Sequence, residues 1–336
     1  MGAKALRDDA ASLLVCAVEG TALTAAEAHF YQRLPVSGVT LFTRNIPAAQ
    51  PALAELTSSL QRLRPAGDPP LIIAIDQEGG RVARLKAPFP NAGPALALAG
   101  GAADAPALEQ VRRVAEDMGQ RLRALGINVN FAPCCDVLTQ PSNTAIGDRA
   151  FGVEPIPVSK RASAFLGGLM AAGVEGCLKH FPGQGGASSD THLGGAVIDR
   201  SLAELLATEL VPFQALLGQA SMVMISHCTY PQLAPEAASR SAWVMQGLLR
   251  DQLGFTGVVV SDDMNMGAIP QEPAAWQDAI VQAVLAGADL LLVCRHLERY
   301  ELAYAALTKA AEHSSAFRKR LEQAALRVLS LRAKLQ

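Results

Sequence analysis

A lysine, two histidines and an aspartate crowd around a glycine-rich bend in KHFPGQGGASSDTH, Lys179 to His192. Pro182, Gly183, Gly185, Gly186, Ser188 and Ser189 account for the bend, since all are turn residues. They do not account for Asp190 and His192, which flank Thr191 and are spaced to hydrogen-bond each other. An aspartate that holds and charges an imidazole tunes it for proton transfer. Asp262 is a second reactive candidate. It ends the apolar run GVVVSDD and is followed at once by another carboxylate, which leaves it little freedom. A fixed carboxylate opposite a proton donor is the layout of a retaining glycosidase, where one group attacks and the other protonates the leaving oxygen. Here the donor is a histidine in place of the ordinary Asp or Glu. The rival chemistry is metal-dependent hydrolysis, with His180, His192, His227 and Asp262 as ligands. An early HxH pair is missing, however, and Lys179 would repel a cation.

These residues need a scaffold, and the apolar pattern supplies one. Runs rich in Val, Ile and Leu recur at 12–20, 39–44, 70–76, 127–136, 174–180, 222–227, 257–263 and 289–294. Their apolarity is continuous and not alternating, as in parallel strands covered on both faces. Stretches with helical spacing lie between them, such as LEQVRRVAEDMGQRLRALG, SKRASAFLGGLMAAG and WQDAIVQAVLAGA, several ending in the glycine that relieves a helix C-terminus. Eight βα units predict a closed (β/α)8 TIM barrel in the α/β class. The first strand ends in Glu19-Gly20 and lacks the glycine-rich nucleotide loop of an open doubly wound sheet. The C-terminal LTKAAEHSSAFRKRLEQAALRVLSLRAKL reads as extra helices packed outside the barrel. No linker interrupts the pattern, so a single catalytic domain over 1–336 is expected.

A barrel puts its functional side chains at the C-terminal ends of its strands. Asp76-Gln77-Glu78, Asp136, Lys179-His180, His227, Asp262-Asp263 and Arg295-His296 all fall there, as do four of the six histidines, counting the loops. So many ionisable groups are costly to bury together unless paired or met by a polar ligand, which points to a polar small molecule. Asp136, Asp263 and His296 read equally well as members of structural salt bridges.

Composition narrows the class. Half of the 336 residues are hydrophobic and the formal charge is −2, so a large core is available and no basic or acidic block marks a nucleic-acid or membrane partner. The short apolar run near the N-terminus is too brief for a signal peptide or a span, which predicts a cytoplasmic protein. The six cysteines sit in or beside apolar runs without a CxxC pair. They read as small buried hydrophobes in a reducing compartment and not as disulfides or zinc ligands.

Eight blocks in order, GVTLFTRN, AIDQEGGRVARL, NFAPCCDV, IGDRAFG, KHFPGQGGASSDTH, ISHCTYP, LGFTGVVVSDDMNMGAI and AGADLLLV, give a chain that resembles the bacterial β-N-acetylglucosaminidases (β-hexosaminidases) of glycoside hydrolase family 3 over most of its length. The resemblance implies a (β/α)8 barrel that removes terminal β-linked N-acetylglucosamine through a covalent glycosyl-enzyme. It implies Asp262 as nucleophile, Asp190 and His192 as the acid/base dyad, and Asp76, Arg84, Arg149, Lys179 and His180 as sugar-binding residues. It further implies no metal or organic cofactor, a small carbohydrate as the only partner of a monomer, and a cytoplasmic role in peptidoglycan recycling. Two departures stand out: Gln184 replaces a common histidine in KHFPGQG, and LGGAVID after the dyad lacks the usual acidic and proline residues. Altered loop packing is expected at Gln184, with catalysis retained. Phosphorolysis in place of hydrolysis, and a sugar sensor without turnover, remain the alternatives.

Overall fold

The computed structural model describes residues 3–47, 50–87, 89–98, 100–187 and 195–335. Eight parallel strands close into a barrel: β1 (Leu14–Cys16), β2 (Gly38–Leu41), β3 (Ile72–Ile75), β4 (Val129–Asn130), β5 (Glu175–Phe181), β6 (Met222–Ile225), β7 (Val258–Asp263) and β8 (Leu290–Leu292). Each lies within two residues of an apolar run named above, so continuous Val/Ile/Leu burial was a sufficient strand signal. Each strand pairs with its sequence neighbours, and β1 meets β8 with Leu14 opposite Leu291 and Val15 opposite Leu292.

Alternation along the strands sorts the core into two layers. Val15, Ile72, Ala74, Val129, Phe131, Met222, Val258, Val260 and Leu290 form an inner cluster. Their neighbours Leu14, Val39, Ile73, Leu178, Val223, Val259 and Leu291 join the cluster that includes the surrounding helices. On the outside, the helices Ala105–Ala124 and Pro155–Ala171 pack so closely that a Cβ at Gly168 would lie 2.2 Å from the Arg112 carbonyl oxygen.

Three elements depart from expectation. The stretch LAELLATELVPFQALLG, whose spacing predicts one helix, forms two, Leu202–Ala207 and Val211–Leu216, because buried Glu209 and then Pro212 interrupt the ladder. A two-stranded hairpin, Gln77–Gly79 with Val82–Ala83, follows β3 within a block that reads as continuous. The C-terminal helix Ser315–Arg332 is not simply outside the barrel. Val328 and Leu331, with Leu335 just beyond, join the inner cluster and plug the N-terminal end, where Arg332 donates to the carbonyls of Pro69 and Pro70. No helix among the described residues is long and apolar enough to cross a membrane.

Candidate active site

The polar residues at the strand ends form one connected chain of charge. Asp76 follows β3, and the hairpin after it turns through Gly79 and Gly80, both at positive φ, to return Arg84 to Asp76 at 3.2 Å. Buried Gln77 fastens that return by accepting from the Leu85 amide at 3.0 Å. Lys179, near the end of β5, is 1% exposed and reaches both Asp76 at 2.8 Å and Glu78 at 2.6 Å. Glu78 in turn takes a two-pronged pair from Arg149 at 2.8 and 2.9 Å, with Arg149 held by the short 3-10 turn Gly147–Arg149. Arg149 lies 3.3 Å from His180 Nε2, and His180 Nδ1 lies 2.7 Å from Asp136. A guanidinium can only donate, so Nε2 accepts and the Nδ1–H donates to Asp136.

Burial disfavours the charges on Asp76, Glu78, Asp136 and Lys179, and the pairing overrides it. Burial pushes Asp76 up, but Lys179 and Arg84 outweigh it and hold its carboxyl below the usual range. The same contest holds Glu78 well below that range, with Arg149 and Lys179 prevailing over burial. Burial would lower Lys179, yet Asp76 and Glu78 raise it. Asp136, fully buried, is also held low because His180 and the Gln184 backbone amide, at 2.6 Å, outweigh its desolvation. These groups stay ionised at neutral pH and present fixed acceptors and donors suited to hydroxyl groups.

The sequence leaves Asp136 equally open to a structural role and marks Glu78 only as a strand-end residue; the structure puts both in the middle of the charge chain. The sequence signal for Glu78 was its i+2 spacing from Asp76, but its partners are distant in the chain. Asp136 also receives the Cys134 thiol at 3.2 Å. Cys134, Asp136 and His180 place their donor atoms within 4.8 Å of one another, the one group among the described residues able to hold a metal ion. Burial first, then Asp136, keeps the Cys134 thiol protonated, so here it serves as a hydrogen-bond donor.

Asp262 is the next-to-last residue of β7 and faces a cavity of about 500 Å³ shared with Asp76, Arg84, Phe131, Met224 and Arg295. Its carboxylate accepts from the Asp263 amide at 2.8 Å. Asp263 differs: one carboxylate oxygen takes the Asn265 backbone and side-chain amides, at 3.0 and 2.9 Å, and the Cys294 amide at 3.3 Å. It therefore holds the loop, although it lines the cavity beside Asp262. Larger clefts of about 790 and 610 Å³ lie toward the plugged end, lined by Arg332 and Lys334 respectively, without such a cluster.

His227 is brought beside Asp262 but not as a metal ligand. Its Nε2 lies 3.2 Å from the Asp263 carbonyl and its Nδ1 2.7 Å from the Ser239 hydroxyl, so both ring nitrogens are engaged. Burial lowers its pKa, with Asp262 opposing. His296, at a positive φ of 55°, is exposed and lies outside this cavity. Asp190 and His192 lie outside the described residues. The segment leading to them is fixed by close approach: a Cβ at Gly185 would lie 1.7 Å from the Val137 carbonyl. Gln184 is buried and within 3.4 Å of the Ser226 hydroxyl, so this departure from the family pattern is accommodated in the packing.

Residues 5–331 match the family described as glycosyl hydrolase family 3 N terminal domain. A curated relative named beta-hexosaminidase, from Stenotrophomonas maltophilia, is 41% identical over 288 residues, covering 84% of this chain and 83% of its own. Among solved structures, a family 3 β-N-acetylglucosaminidase from Paenibacillus sp. superposes with a TM-score of 0.90 at 33% identity, over 98% of this chain but 62% of that longer one. A β-N-acetylhexosaminidase from Beutenbergia cavernae gives 0.89 at 31%, over 97% of this chain and 98% of its own. Barrel, charged strand ends and family match agree: the chain belongs to glycosyl hydrolase family 3 and is a glycoside hydrolase.

Proposed function

We propose that this protein is a retaining exo-β-N-acetylglucosaminidase. The observation that carries the reading is Asp262, a carboxylate facing a cavity that it shares with Asp76 and Arg84, the end of the charge chain that Lys179 holds through Asp76. Asp76, Arg84, Lys179, His180 and Arg149 bind the hydroxyl groups of the terminal sugar, with Glu78 and Asp136 fixing their positions. Asp262 attacks the anomeric carbon while the imidazolium of His192, oriented by Asp190, protonates the departing oxygen. Neutral His192 then takes a proton from water as the glycosyl–Asp262 bond breaks, which gives net retention. His227 steadies the nucleophile's strand end through the Asp263 carbonyl. The relatives named for N-acetylglucosamine and N-acetylhexosamine support the sugar assignment. A monomer acting in the cytoplasm on muropeptides, in peptidoglycan recycling, is the biological setting we infer.

The test is release of p-nitrophenol from its β-N-acetylglucosaminide, against the β-glucoside, with chelator present and phosphate varied. Chelator-resistant cleavage of the N-acetyl substrate, abolished in Asp262→Ala, is the expected result. Substantial turnover by that variant overturns the nucleophile assignment. A rate that requires phosphate, with a glycosyl phosphate as product, replaces hydrolysis by phosphorolysis.

A further inference from the structure

One buried carboxylate holds both ends of the segment that carries Asp190 and His192. Glu209 is fully buried in the break between the helices Leu202–Ala207 and Val211–Leu216. At the near end, the chain leaving β5 packs against its side chain: a Cβ at Gly183, where φ is 118°, would lie 2.4 Å from the Glu209 Cβ, and one at Gly186 would lie 3.3 Å from Glu209 Oε1. At the far end, Arg200 donates to Oε1 at 2.5 Å. Thr139, beyond β4, donates to the same oxygen at 2.8 Å, and the Thr208 hydroxyl donates to Oε2. Further bonds complete both anchors: the Tyr230 hydroxyl donates to the Gly183 carbonyl at 2.8 Å, and Ala196 and Ile198 pair with the Thr229 backbone at 2.8 and 2.9 Å. Two other carboxylates near Arg200 are committed elsewhere. Glu204 feels Arg200 but caps its own helix through Ser201, and Asp199 accepts from Gln232. Burying a carboxylate is costly, and a break between helices does not require one. Glu209 supplies something more, a fixed acceptor reached from both ends of the dyad segment.

We propose that Glu209 and Arg200 are positioning residues for the acid/base dyad: their ion pair fixes the spacing between the two ends of the segment that bears His192, and with it the delivery of the His192 proton. Neither residue lines the Asp262 cavity, so neither touches the sugar there. Fixed ends shrink the space that a chain between them can explore, and a catalytic group on it then reaches its place at lower entropic cost. This inference rests on the retaining-glycosidase reading above.

Two substrates that differ only in leaving group separate proton delivery from the rest of catalysis. Phenyl β-N-acetylglucosaminide needs its departing oxygen protonated, and the 2,4-dinitrophenyl glycoside does not. Both react through Asp262 and the same sugar contacts, so the ratio of their kcat/KM values reports the proton. Arg200→Met should lower kcat/KM about tenfold on the phenyl substrate but less than about twofold on the dinitrophenyl one, with Arg200→Lys recovering part of the loss. A purely structural role would lower both alike by reducing the active fraction. Thr139→Val, which takes a single hydroxyl from Glu209, should move the ratio the same way by a smaller factor. Arg200→Met decides, since Arg200 is partly exposed and its loss opens no cavity in the core. Equal losses on both substrates, or a ratio untouched in folded Arg200→Met, overturn the proposal and leave the glycosidase reading intact. No cleavage of either substrate by the folded native enzyme overturns that reading, and this inference with it.

Discussion

Replacing Glu78 by Gln removes one charge and leaves two cations facing each other. Glu78 is 5% exposed and lies between Lys179 at 2.6 Å and the two-pronged Arg149. At an effective dielectric of about 20 each pair is worth roughly 4 kcal/mol. Desolvation of the three ions offsets much of that sum, and breaking such a buried pair from one side typically costs about 3–5 kcal/mol. Part of that loss should appear in catalysis, because Lys179 loses one of its two restraints and Arg149 its main one. We expect urea denaturation at pH 7 to give Glu78→Gln a stability lower by that amount, with a raised KM. The pH profile supplies an independent sign. Glu78 has a folded pKa below its unfolded one, so its stabilisation is complete above the unfolded value near 4.3 and is lost as pH falls from there toward the folded value. The deficit of Glu78→Gln should therefore shrink on acidification below about pH 4. A variant within about 0.5 kcal/mol of native at pH 7, with KM unchanged, would refute the reasoning that this carboxylate holds the two cations.

Other outcomes follow from the same geometry. Asp136→Asn keeps one acceptor for the Gln184 amide but disturbs the His180 ring; kcat/KM should fall roughly 10- to 100-fold, and an unchanged value would remove His180 from sugar binding. Leu331→Ala opens a void in the plugged end of the barrel and should cost about 2–5 kcal/mol in chemical denaturation with kcat and KM retained on the folded fraction. Asp9, pushed up to about 6 by burial and by Glu322 and Asp8, binds its proton more tightly folded than unfolded, so stability falls as pH rises through 6. Asp9→Asn should therefore melt higher than native at pH 7, the gain fading toward pH 4; an equal gain at both would refute this.

The barrel was legible because each strand is buried on both faces, and that condition writes itself locally as an uninterrupted apolar run. The rim was legible for a related reason: Asp76, Lys179, His180 and Asp262 interrupt those runs at their C-terminal ends, where a barrel concentrates chemistry. Partnership was not legible. Glu78 binds Arg149 and Lys179, and His180 binds Asp136, across chain separations that spacing cannot encode. The Asp262–Asp263 pair shows the same limit. Two adjacent carboxylates look alike in sequence, and only the Asn265 and Cys294 amides distinguish the loop-holding one. The plug formed by Val328, Leu331 and Leu335 was missed because helical periodicity reports an apolar face but not which end of the barrel it covers. His227 was a metal-ligand candidate until Ser239 and the Asp263 carbonyl accounted for both its nitrogens.

The pairing of β1 with β8 has a consequence for how the chain is made. Leu14 and Val15 find their partners, Leu291 and Leu292, only after seven further strands have been laid down. Until then β1 is an open parallel edge rich in leucine and valine, able to template pairing with another chain. Closure is thus a late, non-local step, and until it occurs that edge stays open to mispairing. Once the two edges meet, the same step that completes the sheet also removes its last adhesive border.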